Sequence, residues 1–202
     1  MAMAMPAAFD PLIDFDGMWT TDLANRYLPL PELPDVRYEC IDGRLVVSPT
    51  EVGSNSYGAA SLIQLVGQPA REAGFYVFGP VNLTFNPGRW IVPDLAVLHS
   101  LPKDDNEDLW IPASHVLMPV EFVSHSHDSR KRDFVDKPGR CAEAGIPYFM
   151  RIQIVRQLRS VTVELLKLGD EHYELLTEAA GGQELVTAEP FEMRFTPRSL
   201  VP

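Results

Sequence analysis

Cysteine is scarce in this chain, with only Cys40 and Cys141 among 202 residues. So few thiols build neither a disulfide scaffold nor a zinc cluster, and they fit a reducing cytoplasm. Nor does any stretch supply the roughly 18 uninterrupted apolar residues of a membrane helix. The Met-Ala opening at residues 1–5 is short and has no positive flank, so no signal peptide is expected. Positive charge is also in short supply: 17 Lys and Arg stand against 28 Asp and Glu, a formal charge of −11. That balance argues against a simple nucleic-acid binder, because phosphate contacts need Lys and Arg. Nucleophile elbow, Walker loop, dinucleotide fingerprint and protein-kinase signature are all missing. Ser54, Ser56 and Ser61 gather without a paired histidine, so covalent catalysis is not expected.

What remains is ordinary globular material, 46% hydrophobic and 22% charged. Disorder, collagen and coiled coil are excluded by this mix. The chain is long enough for one domain with a sizeable core and scarcely for two. We expect a flexible arm over residues 1–16 and a single domain over 17–202. Eighteen prolines predict short, well-punctuated elements. Charge is uneven along the chain. Residues 121 to 159 hold eight basic and five acidic side chains, leaving −14 on the remainder. This segment either faces an anion or is a solvated helix face.

Local patterns give the order of elements. A short helix is expected over 18–27, stopped by Pro29. Val36 to Ile41 and Arg44 to Ser48 read as strands joined by Asp42-Gly43, a pair suited to a two-residue turn with positive φ. Residues 55–73 read as a helix buried on one face, with Gly58, Ala59 and Ala60 allowing close packing. Strands are expected over 75–78, 81–85 and 90–99, then an Asp- and Pro-rich loop over 101–113. Val116 to Val123 fits a strand buried on both faces. A helix follows over 128–144, broken at Pro138-Gly139, with Asp136 as the N-cap of a new segment. A buried strand over 148–155 and a hairpin across Gly169-Asp170 complete the chain. The fold class is mixed α/β (α+β), with a mostly antiparallel sheet extended by hairpins at both ends of the chain.

Acids stand where acids are costly. Asp94 interrupts the apolar run Ile91–Leu98, and Glu121 interrupts Val116–Val123. Burying an isolated carboxylate costs several kcal/mol unless a cation or donors offset it. Two such acids on neighbouring strands are reconciled by a divalent ion, and hard oxygen ligands select Mg²⁺ or Mn²⁺ over zinc. Each acid alone also reads as an edge position or a partner of an Arg. Glu39, on the first hairpin, is expected to face solvent. His125 and His127 invite a zinc reading, yet no further ligands stand at a recognisable spacing. Lys137 lies four residues after Asp133, a spacing that by itself describes a surface ion pair.

Taken in order, these pieces resemble a known family. Tyr38-Glu39-x-Ile41-Asp42-Gly43-x-Leu45-Val46, Val92-Pro93-Asp94, Val120-Glu121-x-x-Ser124-x-Ser126, Asp133-x-x-x-Lys137 and Ala144-Gly145-Ile146-Pro147-x-Phe149 are similar to motifs of the Uma-type bacterial restriction-endonuclease family. That family belongs to the PD-(D/E)XK nuclease superfamily, and the resemblance spans about residues 18–195. It implies a central mixed sheet flanked by helices. It also implies that Asp94 and Glu121 hold Mg²⁺ or Mn²⁺, that Lys137 is catalytic, and that Glu39 adds a carboxylate at the rim. Position 123 is Val where the superfamily lysine stands, so Lys137 replaces that lysine from the following helix. Asn55 stands where the family often has histidine, and Cys141 where tyrosine is common. The implied reaction is metal-dependent hydrolysis of DNA; the alternative is a weakly active or inactive binding module with the same fold. A homodimer would let two sites address two strands, although no interface is legible.

Overall fold

The computed structural model describes residues 9–50, 52–123, 131–155 and 160–202. Its elements begin with helices α1 (Pro11–Asp14) and α2 (Thr21–Tyr27), strands β1 (Val36–Ile41) and β2 (Arg44–Pro49), and the long helix α3 (Gly53–Glu72). Strands β3 (Tyr76–Phe78), β4 (Leu83–Asn86), β5 (Arg89–Ile91) and β6 (Leu95–Leu98) follow, then helix α4 (Asp105–Leu109) and the two-residue β7 (Ile111–Pro112). Strand β8 (Val116–Phe122) precedes a π-helical turn, Arg132–Asp136, and helix α5 (Lys137–Glu143). The last strands are β9 (Tyr148–Val155), β10 (Ser160–Leu168), β11 (Tyr173–Ala180), β12 (Leu185–Thr187) and β13 (Met193–Phe195). Among the described residues no helix is long and apolar enough to cross a membrane.

The chain forms two units, one of residues 1–50 with 86–91 and one of residues 51–85 with 92–202. In the first, β1 pairs antiparallel with β2 on one side and with β5 on the other. The register Ile41↔Arg44 leaves Asp42 and Gly43 as a two-residue turn at φ +53° and +81°, as their residue types predict. Helix α2 starts later than expected, because Thr20 caps it by accepting the Leu23 N–H at 3.3 Å. Residues 9–16 carry α1, and Phe15 packs edge-on against Trp19 and beside Tyr27.

The second unit is built on a six-stranded sheet in the order β11-β10-β9-β8-β6-β3. Every pairing in it is antiparallel except β8 with β9. Mixed α/β architecture is therefore observed. Helix α3 buries Asn55, Gly58, Leu62, Val66 and Ala70, a single stripe at helical spacing. That stripe lies in the core with Leu95, Val97, Val120, Phe122, Met150 and Ile152 of the sheet. Gly58 marks the closest approach, since a Cβ there would come within 2.6 Å of Phe122 Cε1.

Several expectations need correction. The single strand expected over 90–99 is two strands, β5 and β6, separated at Val92-Pro93-Asp94, where the chain passes from one unit to the other. Pro93 has no N–H to continue a ladder. The loop over 101–113 contains α4, capped by Asp104, and β7. Asp136 does not cap a new segment: its backbone is helical and its side chain makes no capping bond. Instead the Lys137 N–H reaches back five residues to the Arg132 carbonyl. This wider turn precedes Pro138, whose missing N–H and bulky ring oppose an ordinary α continuation. Strands β12 and β13 were not anticipated. The expected helix start over 128–130 lies outside the described residues.

Candidate active site

Asp94 stands at the entrance to β6, against the end of β8. Its N–H donates to the Val120 carbonyl at 3.1 Å, and its Oδ2 accepts the Phe122 N–H at 2.7 Å. The two bonds fall on either side of Glu121, so the acids of the neighbouring strands lie next to each other. The pairs Leu95↔Val120 and Val97↔Met118 turn toward the α3 core, and strand alternation sends Glu121 to the opposite face. Both acids are buried, Asp94 at 3% and Glu121 at 2% exposure.

A buried carboxylate survives only with partners. Lys137 Nζ lies 2.9 Å from Glu121 Oε1 and 3.9 Å from Asp133 Oδ1. Lysine and Asp133 are themselves buried, so the surface ion-pair reading of Asp133 and Lys137 does not hold. The π turn and the start of α5 deliver this ammonium to the sheet face that carries Glu121. One helical turn after Lys137, the buried Cys141 thiol is pushed up by desolvation and then by the Glu121 charge, with Lys137 and Arg140 opposing. It remains a thiol at neutral pH.

Sequence reasoning missed Arg151, which entered only as one of the basic residues. It is the β9 ladder partner of Glu121 in the parallel pairing. Its Nε donates to Glu164 Oε2 at 2.7 Å, and its guanidinium carbon lies 4.1 Å from the centroid of the Phe134 ring. A charged residue between buried Met150 and Ile152 was the available signal.

Glu39 belongs to the first unit, opposite Val46, and is 5% exposed, contrary to the solvent-facing expectation. Asn55 is buried in the first turn of α3, one turn ahead of Gly58. His125 and His127 lie outside the described residues.

Asp94 and Glu121 present hard oxygen donors, the chemistry that Mg²⁺ and Mn²⁺ take. Among the described residues no group of three or more His, Cys, Asp or Glu forms a metal cage. Mg²⁺ is commonly bound by one or two carboxylates, with water and substrate phosphate completing its shell. Each carboxylate has two oxygens and about four lone-pair positions, so one such group can accept a hydrogen bond and ligate an ion together. The donor set fits such an ion.

No curated relative matches the chain. A crystal structure of a "putative nuclease belonging to DUF820" from Anabaena variabilis ATCC 29413 is similar, with a TM-score of 0.63 at 18% identity. The match covers 87% of this chain and 95% of that one, and at such identity the likeness is one of fold. The Uma2 family model, described as "Putative restriction endonuclease", matches residues 24–198. With most of its length matched, the chain belongs to the Uma2 family.

Proposed function

We propose that this protein is a Mg²⁺- or Mn²⁺-dependent endonuclease that hydrolyses DNA phosphodiester bonds, with Asp94 and Glu121 as metal ligands and Lys137 as the catalytic cation. The observation that supports the proposal is that Asp94 and Glu121 are buried acids on adjoining strands, Asp94 bonded to the Phe122 N–H and Glu121 paired with the buried Lys137. When bound, the ion supplies Lewis acidity and neutralises charge on the phosphate. Asp94 is held in place by the N–H of Phe122, the residue next to Glu121 on β8. Lys137 holds its ammonium against the Glu121 carboxylate, where it can orient a water or stabilise negative charge developing on phosphorus. Burial strengthens both effects, because fewer waters screen them. The net-positive segment over 121–159 supports an anionic substrate, and a homodimer would present two such sites to two strands.

The test is cleavage of supercoiled plasmid and of single-stranded DNA in Mn²⁺, comparing wild type with Glu121→Gln. Wild type nicks or linearises DNA, and the variant loses at least 100-fold in rate, about 3 kcal/mol of transition-state stabilisation. Equal cutting by both proteins would retire the assignment. DNA binding without cutting by either would favour the inactive binding module, the reading that the charge of −11 supports.

A further inference from the structure

Resting on the nuclease reading, we infer that Arg151 is a positioning residue: it fixes the π turn against the sheet and thereby sets where the Lys137 ammonium meets Glu121. Three observations carry this. Arg151 is the ladder partner of Glu121, on the only parallel neighbour of β8 within the six-stranded sheet. Its Nε is locked by Glu164 on β10 at 2.7 Å, again from the directly paired position. The flat guanidinium lies over the ring of Phe134, 4.1 Å from its centroid.

Phe134 sits in the π turn, between Asp133 and the start of α5 at Lys137. A guanidinium anchored by a carboxylate has little freedom to rotate, and it offers a planar face on which an aromatic ring stacks. Lysine has the charge without the plane. The contact therefore transmits the position of β9 to the turn that carries Lys137. This matters because position 123, just past the end of β8, is Val where the resemblance implies a lysine, and the ammonium comes from the helix instead. An ammonium delivered from a helix needs a separate tie to the strand, and Arg151 supplies one from the adjoining strand. Its role is distinct from that of Lys137, since its guanidinium is committed to Glu164 and Phe134.

The experiment has two readouts, one independent of cleavage. The chain has four lysines, Lys103, Lys131, Lys137 and Lys167, so ¹⁵N-lysine labelling resolves the Lys137 ammonium signal. Lys137→Met assigns that signal by its loss. In Arg151→Gln and in Phe134→Leu the Lys137 signal shifts or broadens while those of Lys103 and Lys167 stay in place; Phe134→Tyr retains the wild-type spectrum. An unchanged Lys137 signal in both disruptive variants overturns the inference, whether or not the protein cuts DNA.

In the plasmid assay, Arg151→Gln lowers kcat about tenfold to a hundredfold with KM unchanged, the cost of a misplaced catalytic group. Combined with Lys137→Met it adds nothing further, because both changes remove one effect. Additive losses, or a rise in KM alone, would overturn the inference. If wild type cuts nothing while Arg151→Gln still disturbs the Lys137 signal, the nuclease reading fails and the positioning role stands.

Discussion

Asp94 grips the strand that carries Glu121: its Oδ2 accepts the Phe122 N–H at 2.7 Å and its own N–H donates to the Val120 carbonyl at 3.1 Å. The side chain thus has a structural task and a proposed ligating task, and two substitutions separate them. Asp94→Asn keeps an oxygen for the Phe122 N–H but removes the charge. Asp94→Ala removes both and strands a buried donor, at a cost of about 1–3 kcal/mol. Calorimetric titration with Mn²⁺ should show binding in wild type and its loss in both variants. Urea unfolding should show clear destabilisation only in Asp94→Ala. A wild-type isotherm in Asp94→Asn contradicts the metal assignment.

Glu121 and Lys137 form a buried pair at 2.9 Å, with Asp133 at 3.9 Å from the same ammonium. Removing one member of a buried pair leaves an uncompensated charge and costs about 3–5 kcal/mol. Asp133 can retain the ammonium when Glu121 is lost, whereas losing Lys137 leaves two acids facing each other. Lys137→Met should therefore be more destabilising than Glu121→Gln, and the double variant less so than the sum of the two. Urea unfolding of the three variants checks this, and strict additivity would count against the pair.

The features readable in advance were those fixed by short-range chemistry. Asp42-Gly43 announces its turn because few residues tolerate two successive positive φ angles, and the register agrees. Glu121 stood out because it breaks an apolar run, and all seven positions of β8 are buried. The features that escaped depend on tertiary placement. The run Ile91–Leu98 hides a change of unit at Val92-Pro93-Asp94, since apolar continuity looks the same on both sides. Nothing local distinguishes Glu39 from a solvent-facing strand residue, yet it is 5% exposed. Arg151 owes its neighbours to the parallel β8–β9 register, which connects residues 30 positions apart. The π turn was disguised as an ordinary helix interrupted by Pro138.

Gly58 lets α3 approach the strand just beyond Glu121. A Cβ there would lie 2.6 Å from Phe122 Cε1, 3.2 Å from the Leu200 carbonyl and 3.3 Å from Ile154 Cδ1. In an open helix, Gly→Ala would stabilise by about 1 kcal/mol. Here overpacking costs about 1–3 kcal/mol, so Gly58→Ala should lower the midpoint of urea unfolding. Gly67→Ala on the same helix meets no atom within 4 Å and should raise it. The same sign for both would refute the close-packing account.

Burial pushes the Cys40 thiol up from 9.0 to about 11, with Asp42 adding to the rise and the backbone at Gly43 opposing it. The folded state holds this proton more tightly than the unfolded state does. Its stabilising contribution is therefore complete below pH 9 and is lost as pH rises toward 11, on the order of 2 kcal/mol. Cys40→Ala removes the titration. Unfolding free energy measured from pH 8 to 11 should fall more steeply for wild type than for Cys40→Ala, and parallel curves would exclude the thiol as the source.

Val123, just past the end of β8, is 1% exposed, and its N–H donates to the Ile152 carbonyl. The strand end is thereby closed with hydrocarbon, and the Lys137 ammonium arrives from the helix that follows. Glu121 and Lys137 thus ride on different elements, and sliding of the helix on the sheet, which the Arg151–Phe134 contact opposes, would change their separation. The spacing of acid and cation is therefore only as exact as the seating of that helix on the sheet.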